Sequence, residues 1–527
     1  MPDFHQIENS FEADGEKATI SKHGMVATSS KPASIVGSEI LRMGGNAIDA
    51  AVASALAIGI SEPQSSGLGG QTLMLVNFQN QVFAIDGSSR APLHPDISGL
   101  KYFGREFGHT ATTIPSTLKT LAFTHRKFGK LPWKEVVMPA AFLAKEGTEI
   151  TKLQSWLQNR ELDNFFKPKS TIAADFFLKN GEAYKPGDIF RQTIVSDTLK
   201  LIAENDADVF YKGIIAHEID EDMKAHGGYL TYKDLSQFPD PTVRKPLCFN
   251  FMGTTVYTLP PPAFGATLGL AMINFQHLFL QNRNKNLGLI IAESLQNAFS
   301  ISFERIYQFP DKLEELTQCY SRCTDPGELN EFSFKNSDLI EKNSETTHLS
   351  VIDQWDNAVS LTQSIESVYG CKAVTKSLGF LYNNYLLDYQ KADPDSAFFL
   401  RPGAIPRTNV TPSFLFKDKK LWLAIGSPGS ERIVTALLNI FARIFAENMS
   451  IDRALAHKRI HAYNRMVVSE DGFNPDELKL LSKMGYKIEQ RDDAWFYLGC
   501  VQAVMKTSDG RFLGAADHRR DGAAIGI

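Results

Sequence analysis

The chain has 527 residues, a net charge of −5, and 43% hydrophobic against 22% charged residues. That balance excludes disorder over most of its length and supplies a large apolar core. The acidic excess argues against a nucleic-acid partner and against attachment to a membrane by charge, and no apolar run approaches the ~20 residues of a spanning helix.

The N-terminus, residues 1–23, reads as a polar, poorly ordered lead-in without a basic segment followed by an apolar one, so the expected location is cytoplasmic. The five cysteines, Cys248, Cys319, Cys323, Cys371 and Cys500, are scattered and odd in number, which fits a reducing compartment. Residues 31–43 and 47–60 carry helical apolar spacing, broken by Gly44-Gly45. Residues 72–78 and 82–85 form a hairpin about Gln79-Asn80-Gln81. Residues 115–227 are mostly helical, with helices predicted over 116–128, 133–145 and 192–204, and two more over 266–278 and 287–307. Residues 325–345 are polar and charged and read as a surface loop.

A second hairpin follows at once, 347–353 and 357–362, around Gln354-Trp355-Asp356. Further strands are predicted at 413–416, 421–425, 501–505 and 512–514, with a helix at 431–446 among them. Strand pairs segregated from runs of helices indicate α+β layers rather than a parallel α/β sheet.

The chemistry-bearing stretch is Thr346-Thr347-His348-Leu349-Ser350-Val351-Ile352-Asp353. A charged loop ends on Glu345, a Thr opens an alternating strand, and hydroxyls recur on the partner strand at Thr362 and Ser364. Taken alone, TTH at a strand start is β-propensity with polar residues. With Gly44-Gly45-Asn46-Ala47-Ile48-Asp49, Ser66-Gly67-Leu68-Gly69-Gly70, Gly426-Ser427-Pro428-Gly429 and Asp517-His518-Arg519-Arg520-Asp521-Gly522-Ala523-Ala524, in that order, the chain resembles the γ-glutamyltransferase (γ-glutamyltranspeptidase, glutathione hydrolase) family from about Gly24 onward.

The resemblance implies an N-terminal-nucleophile hydrolase: a four-layer αββα sandwich made as one domain and cut before Thr346. It implies a large chain ending at Glu345 (residues 24–345 after the lead-in) and a small chain, 346–527, joined as a heterodimer. A Thr hydroxyl needs an adjacent base, and a free α-amine on the same residue supplies one, so no metal or organic cofactor is required. Thr347 and Thr362 would orient the Thr346 hydroxyl, and Ser364 replaces a family Thr. The oxyanion donors map to the backbone N–H groups of Gly429 and Ser430. Ser430 replaces a Gly, which is costly if the backbone there is left-handed, and it also reads as the N-cap of the following helix.

A γ-glutamyl group offers an α-carboxylate and an α-ammonium. For the ammonium the resemblance points to Asp388, with Tyr385 at a neighbouring Gln or Glu position and Glu366 at a position that is Asn or acidic. For the carboxylate it points to Thr408 and Asn409 in place of a Ser-Ser pair. The family Arg falls on Ser88, with Arg90 two residues on, about 6.6 Å along a strand. An intact nucleophile with an altered clamp resembles the branch that includes cephalosporin- and oxamate-type amidohydrolases. The expected substrate is a small amide, with water or an amino acid as acceptor. The alternatives are a non-glutamyl acyl amide and an unprocessed scaffold. His457 and His461, four apart on an expected helix, lack a third ligand and read as structural.

Overall fold

In the computed structural model, described for residues 2–99, 101–167, 171–281, 286–302, 344–390, 394, 396, 398–491 and 493–527, two antiparallel seven-stranded sheets lie face to face. One runs in the order Ala523–Gly526, Gly24–Thr28, Ser344–Asp353, Ala358–Ser367, Gln71–Phe78, Gln81–Gly87, Thr242–Arg244. The other runs Ala18–Ser21, Phe512–Ala516, Gln502–Lys506, Lys420–Gly426, Ser413–Lys417, Thr254–Thr258, Leu247–Phe251. Helices Lys31–Arg42, Ala47–Ser61, Thr117–Phe128 and Trp133–Glu146 share one apolar core with the outer face of the first sheet. Helices Gly265–Gln281, Leu287–Ile301 and Arg432–Glu447 share the other core with the second. The four αββα layers are those expected. No described helix is long and apolar enough to cross a membrane.

Local chemistry explains the strands that carry the site. Gln79 and Asn80, with φ of 51° and 62°, take the left-handed pair of a tight hairpin, and Asp418 and Lys419 do the same between 413–417 and 420–426. The hairpin after Glu345 is longer than its alternation suggests, Ser344–Asp353 against Ala358–Ser367. Leu349, Val351, Val359 and Leu361 point to the helices. The opposite face of the same strands is polar and meets the second sheet: Ser360 donates to the Ile425 carbonyl at 3.0 Å and Ser350 to that of Gln502 at 3.1 Å. Those hydroxyls satisfy buried carbonyls that an apolar face would leave unpaired.

Three expectations change. The N-terminal segment is ordered: Phe4–Asn9 is helical, Ile7 is fully buried, and Glu8 accepts from the Trp422 indole at 3.1 Å. Phe4, Ile7 and Phe11 fall at helical spacing, so a stripe hidden in a polar segment packs on the core. His457 and His461 do not share a helix: His457 ends helix Ile451–Ala456 and His461 lies in strand Ile460–Tyr463. Ser430 does not cap helix Arg432–Glu447, whose N-cap is Glu431. Residues 303–343, including most of the expected loop together with Cys319 and Cys323, lie outside the described residues.

Candidate active site

Thr346 sits near the start of the 344–353 strand, the third of seven in its sheet, and is 4% exposed. Pairing with the 358–367 strand places Glu345 opposite Glu366 and Thr347 opposite Gln363. Thr346 alone therefore faces two residues, Ser364 and Ile365, and the extra one bulges the partner strand beside Thr346. Glu366 absorbs the bulge with φ of 78°.

The bulge turns the Ser364 side chain onto the peptide bond before Thr346. Its hydroxyl donates to the Glu345 carbonyl oxygen at 2.7 Å and accepts from the Glu366 N–H at 2.8 Å. The Tyr385 phenol reaches Ser364 and Gln71, and burial with Glu366 and Asp388 nearby pushes that phenol up, so it stays protonated. Gly70 packs so tightly against the Ser364 carbonyl that no side chain fits there, which gives the glycine turn a packing reason.

Strand alternation puts Thr347 on the opposite face from Thr346, toward the helices. Its hydroxyl donates to Glu62 Oε2 at 2.9 Å and touches the Ser29 hydroxyl closely. Thr362 bonds His348 Nδ1 at 2.9 Å, and Ser350 lies 3.1 Å from Nε2. Burial without a charged partner lowers the His348 imidazole to about 3, so it is neutral. Of the three expected companions, Ser364 therefore has the direct contact at the Glu345–Thr346 junction, while Thr362 and Thr347 are held by His348 and Glu62.

Arg520 closes the junction from the C-terminal segment. One guanidinium nitrogen pairs closely with Glu345 Oε1 and donates to the Thr346 carbonyl at 3.1 Å. Ser65 donates to the same Glu345 oxygen at 3.1 Å. The segment is locked by Asp517, which pairs with Arg459 and, at 3.0 Å, with Arg519, while Arg519 also binds Glu470. The two arginines hold the Asp517 carboxyl far below its ordinary range despite burial. Glu62, at the end of helix Ala47–Ser61, accepts from Ser29 at 2.8 Å as well as Thr347, and burial pushes its carboxyl up to about 7.

At the turn after the 420–426 strand, Gly429 has φ of 127° and Ser430 of 54°. Ser430 thus occupies the left-handed region at a cost of about 1–2 kcal/mol. Its hydroxyl accepts from Asn409 Nδ2 at 3.0 Å and donates to Glu431 at 2.6 Å. Gly426, just before this turn, lies against the His348 ring, which brings the turn to the Thr346 end of the facing strand. Thr408 is buried and its N–H donates to the Pro262 carbonyl at 3.1 Å.

Tyr385 and Asp388 begin and end a short 3-10 helix. The next residue, Tyr389, is buried with its hydroxyl on the Ala404 carbonyl at 2.6 Å, and both Asp388 and Arg90 act on it electrostatically. Arg90 thus approaches the Asp388 region. Ser88 instead donates its hydroxyl to Asp86 at 2.6 Å, and Asp86 pairs with Arg244 at 2.8 Å. One His/Asp group among the described residues has ligand-like spacing: His109, Asp222 and His226. There the carboxylate lies 2.9 Å from His109 Nε2 and accepts from Thr375 at 2.8 Å.

Three residues here were not singled out from sequence. Arg520 sits within a quoted motif, where two adjacent arginines offered no way to tell them apart. Glu62 looked like the polar end of a helix, and His348 like strand filler after two threonines.

A sequence model of the family described as Gamma-glutamyltranspeptidase matches residues 33–527. The chain is 32% identical to a glutathione hydrolase proenzyme of Bacillus subtilis (strain 168), over 97% of this chain and 93% of the relative. It is 30% identical to glutathione hydrolase 2 of Arabidopsis thaliana, over 99% and 96%. The cephalosporin acylase of Bacillus halodurans superposes with a TM-score of 0.87 over 98% of both chains at 24% identity, a likeness of fold. The chain belongs to the γ-glutamyltranspeptidase family of enzymes.

Proposed function

We propose that this protein cuts itself between Glu345 and Thr346 and then works as a threonine amidohydrolase and acyltransferase on γ-glutamyl amides of the glutathione type. The observation that carries the reading is the Ser364 hydroxyl on the Glu345 carbonyl oxygen, 2.7 Å away. A donor at that oxygen stabilises the charge that develops when Thr346 Oγ attacks the Glu345 carbonyl carbon. The C–N bond then breaks, Thr346 nitrogen keeps the hydroxyl proton, and water hydrolyses the ester. The products are residues 1–345 and 346–527, which remain together because strands of both pieces are hydrogen-bonded neighbours in each sheet.

After the cut, the α-amine of Thr346 takes the proton of its own hydroxyl, which attacks the substrate amide and forms an acyl-enzyme. The amine returns the proton to the leaving amine, and water or an amino acid releases the acyl group. In this reading the N–H groups of Gly429 and Ser430 serve as oxyanion donors, since a left-handed Ser keeps its N–H. Asp388 and Glu366 supply negative charge for an α-ammonium. Arg90, Thr408 and Asn409 supply donors for an α-carboxylate, and Tyr385 lies beside Asp388 on the ammonium side.

The test is denaturing electrophoresis of purified protein with turnover of γ-glutamyl-p-nitroanilide. Two bands, about two thirds and one third of 58.6 kDa, are expected together with release of nitroaniline. A persistent single band with Thr346 intact would overturn the reading and favour a scaffold. A second substrate reading, a non-glutamyl acyl amide, is favoured by one observation: Ser88 is engaged with Asp86 and offers no guanidinium at the family's Arg position. Processed protein that turns over glutaryl or oxamate amides but not the γ-glutamyl one would establish it.

A further inference from the structure

The junction holds one acid that self-cleavage as described does not use. Glu62 is 2% exposed and lies on the helix side of the 344–353 strand. Its Oε2 gathers the hydroxyls of Ser29 and Thr347, while Oε1 has no hydrogen-bond partner among the described residues. The groups that act on it electrostatically are Arg520 and Glu345. Cys500, a buried thiol kept protonated, faces the same cluster, and the Lys17 ammonium lies behind it on the Asp517, Arg520 and Gly522 carbonyls.

In the uncut chain the arrangement is electrically closed. Arg520 is neutralised by Glu345, and a second buried carboxylate beside that pair would have no cation of its own. Opening the Glu345–Thr346 bond changes this. Glu345 becomes a chain end free to move away with a new α-carboxylate, and a basic amine appears one residue from Thr347. A guanidinium left buried without a counter-charge is costly, and Glu62 is the acid already in its field.

Resting on the self-cleavage reading above, we propose that Glu62 takes the place of Glu345 as the counter-charge to Arg520 once the bond is cut. In the cut protein it then positions Thr346 through Thr347 and sets the basicity of the Thr346 amine. Protons balance. Cleavage adds one water, whose hydroxyl completes the Glu345 carboxyl and whose proton restores the Thr346 hydroxyl. The new carboxyl and Glu62 each release a proton; the α-amine takes one and solvent the other. Glu62 touches no substrate atom in this scheme and is a positioning residue.

The experiment compares Glu62→Gln and Glu62→Asp with the natural protein. Glutamine keeps the hydrogen bonds of a protonated carboxyl but cannot ionise, so Glu62→Gln should still split. In the split protein an uncompensated Arg520 lowers the proton affinity of the amine. The ascending limb of kcat against pH should therefore move about one unit to lower pH, with kcat down about tenfold and KM little changed. Glu62→Asp should keep the limb in place.

A second measurement does not depend on Glu62→Gln folding. In uncut Thr346→Ala protein, the infrared carbonyl band of a protonated carboxyl should be present near pH 6. It should shift in Thr346→Ala/Glu62→Asp and be absent from the split natural protein. Normal splitting with an unmoved Glu62→Gln limb overturns this proposal alone, as does absence of the band in Thr346→Ala. A natural chain that never splits overturns the self-cleavage reading and this proposal with it.

Discussion

The Ser364 hydroxyl donates to the carbonyl oxygen of Glu345 at 2.7 Å, across a β-bulge that brings the two together from adjacent strands. The hydroxyl is aimed at the atom that would carry negative charge in cleavage before Thr346. Ser364→Ala should slow appearance of the two chains about 100-fold, the cost of removing one oxyanion donor. Ser364→Thr should preserve it. A time course on denaturing gels measures both, and Thr346→Ala, which removes the nucleophile, should give none at all.

Ser430 keeps a left-handed backbone, with φ of 54°. Ser430→Gly relieves about 1 kcal/mol of strain but loses hydrogen bonds to Asn409 and Glu431. Stability in urea should change little, and kcat should stay within about threefold, because the N–H is retained. Ser430→Pro removes the N–H and forbids positive φ, and should abolish turnover.

Two buried groups tilt stability with pH in opposite directions. The His348 imidazole titrates at 6.5 when unfolded and about 3 when folded, so the unfolded chain binds the extra proton and stability falls as pH drops from 6.5 toward 3. Glu62 in the uncut chain titrates at 4.5 unfolded and about 7 folded, so stability is full below 4.5 and declines as pH rises to 7. Each contributes roughly 3–5 kcal/mol at most. Urea titrations of Thr346→Ala protein should show both slopes, with His348→Gln flattening the acid side and Glu62→Gln the other.

Asp517 pairs with two buried arginines, Arg459 and Arg519, the second of which also pairs with Glu470. Asp517→Asn leaves buried Arg459 without its carboxylate partner and Arg519 with Glu470 alone, and should cost about 3–5 kcal/mol. Because the folded carboxyl is held below its ordinary 3.8, its contribution is complete above about pH 4 and fades only as pH falls further. Chemical denaturation at pH 7 and pH 3 should find the variant's deficit larger at pH 7.

Much of the architecture was legible before any coordinates. Alternation at Leu349, Val351, Val359 and Leu361 announced the central hairpin, and the polar turn Gln79-Asn80-Gln81 marked the one at 72–85. These are local signals, carried within ten residues or so. The glycine turn at 67–70 was visible as a motif, but its reason, close packing of Gly70 on the Ser364 carbonyl, is a contact across the fold. The N-terminal helix was misjudged because three apolar residues in a polar segment identify a buried face only once the core they meet, Trp422 and its neighbours, is known.

By itself the sequence determined the family, the layered α+β fold and the Thr346 strand, because periodicity and ordered motifs survive without coordinates. Only the tertiary structure decided which hydroxyl meets the Glu345 carbonyl. Thr362 and Ser364 share a face by alternation, and a one-residue bulge separates their roles. Only the structure joined Glu62, Glu345 and Arg520, three residues far apart in the chain. Their significance is a shared charge balance in a buried place, and burial and proximity are properties of the folded chain rather than of any segment of it.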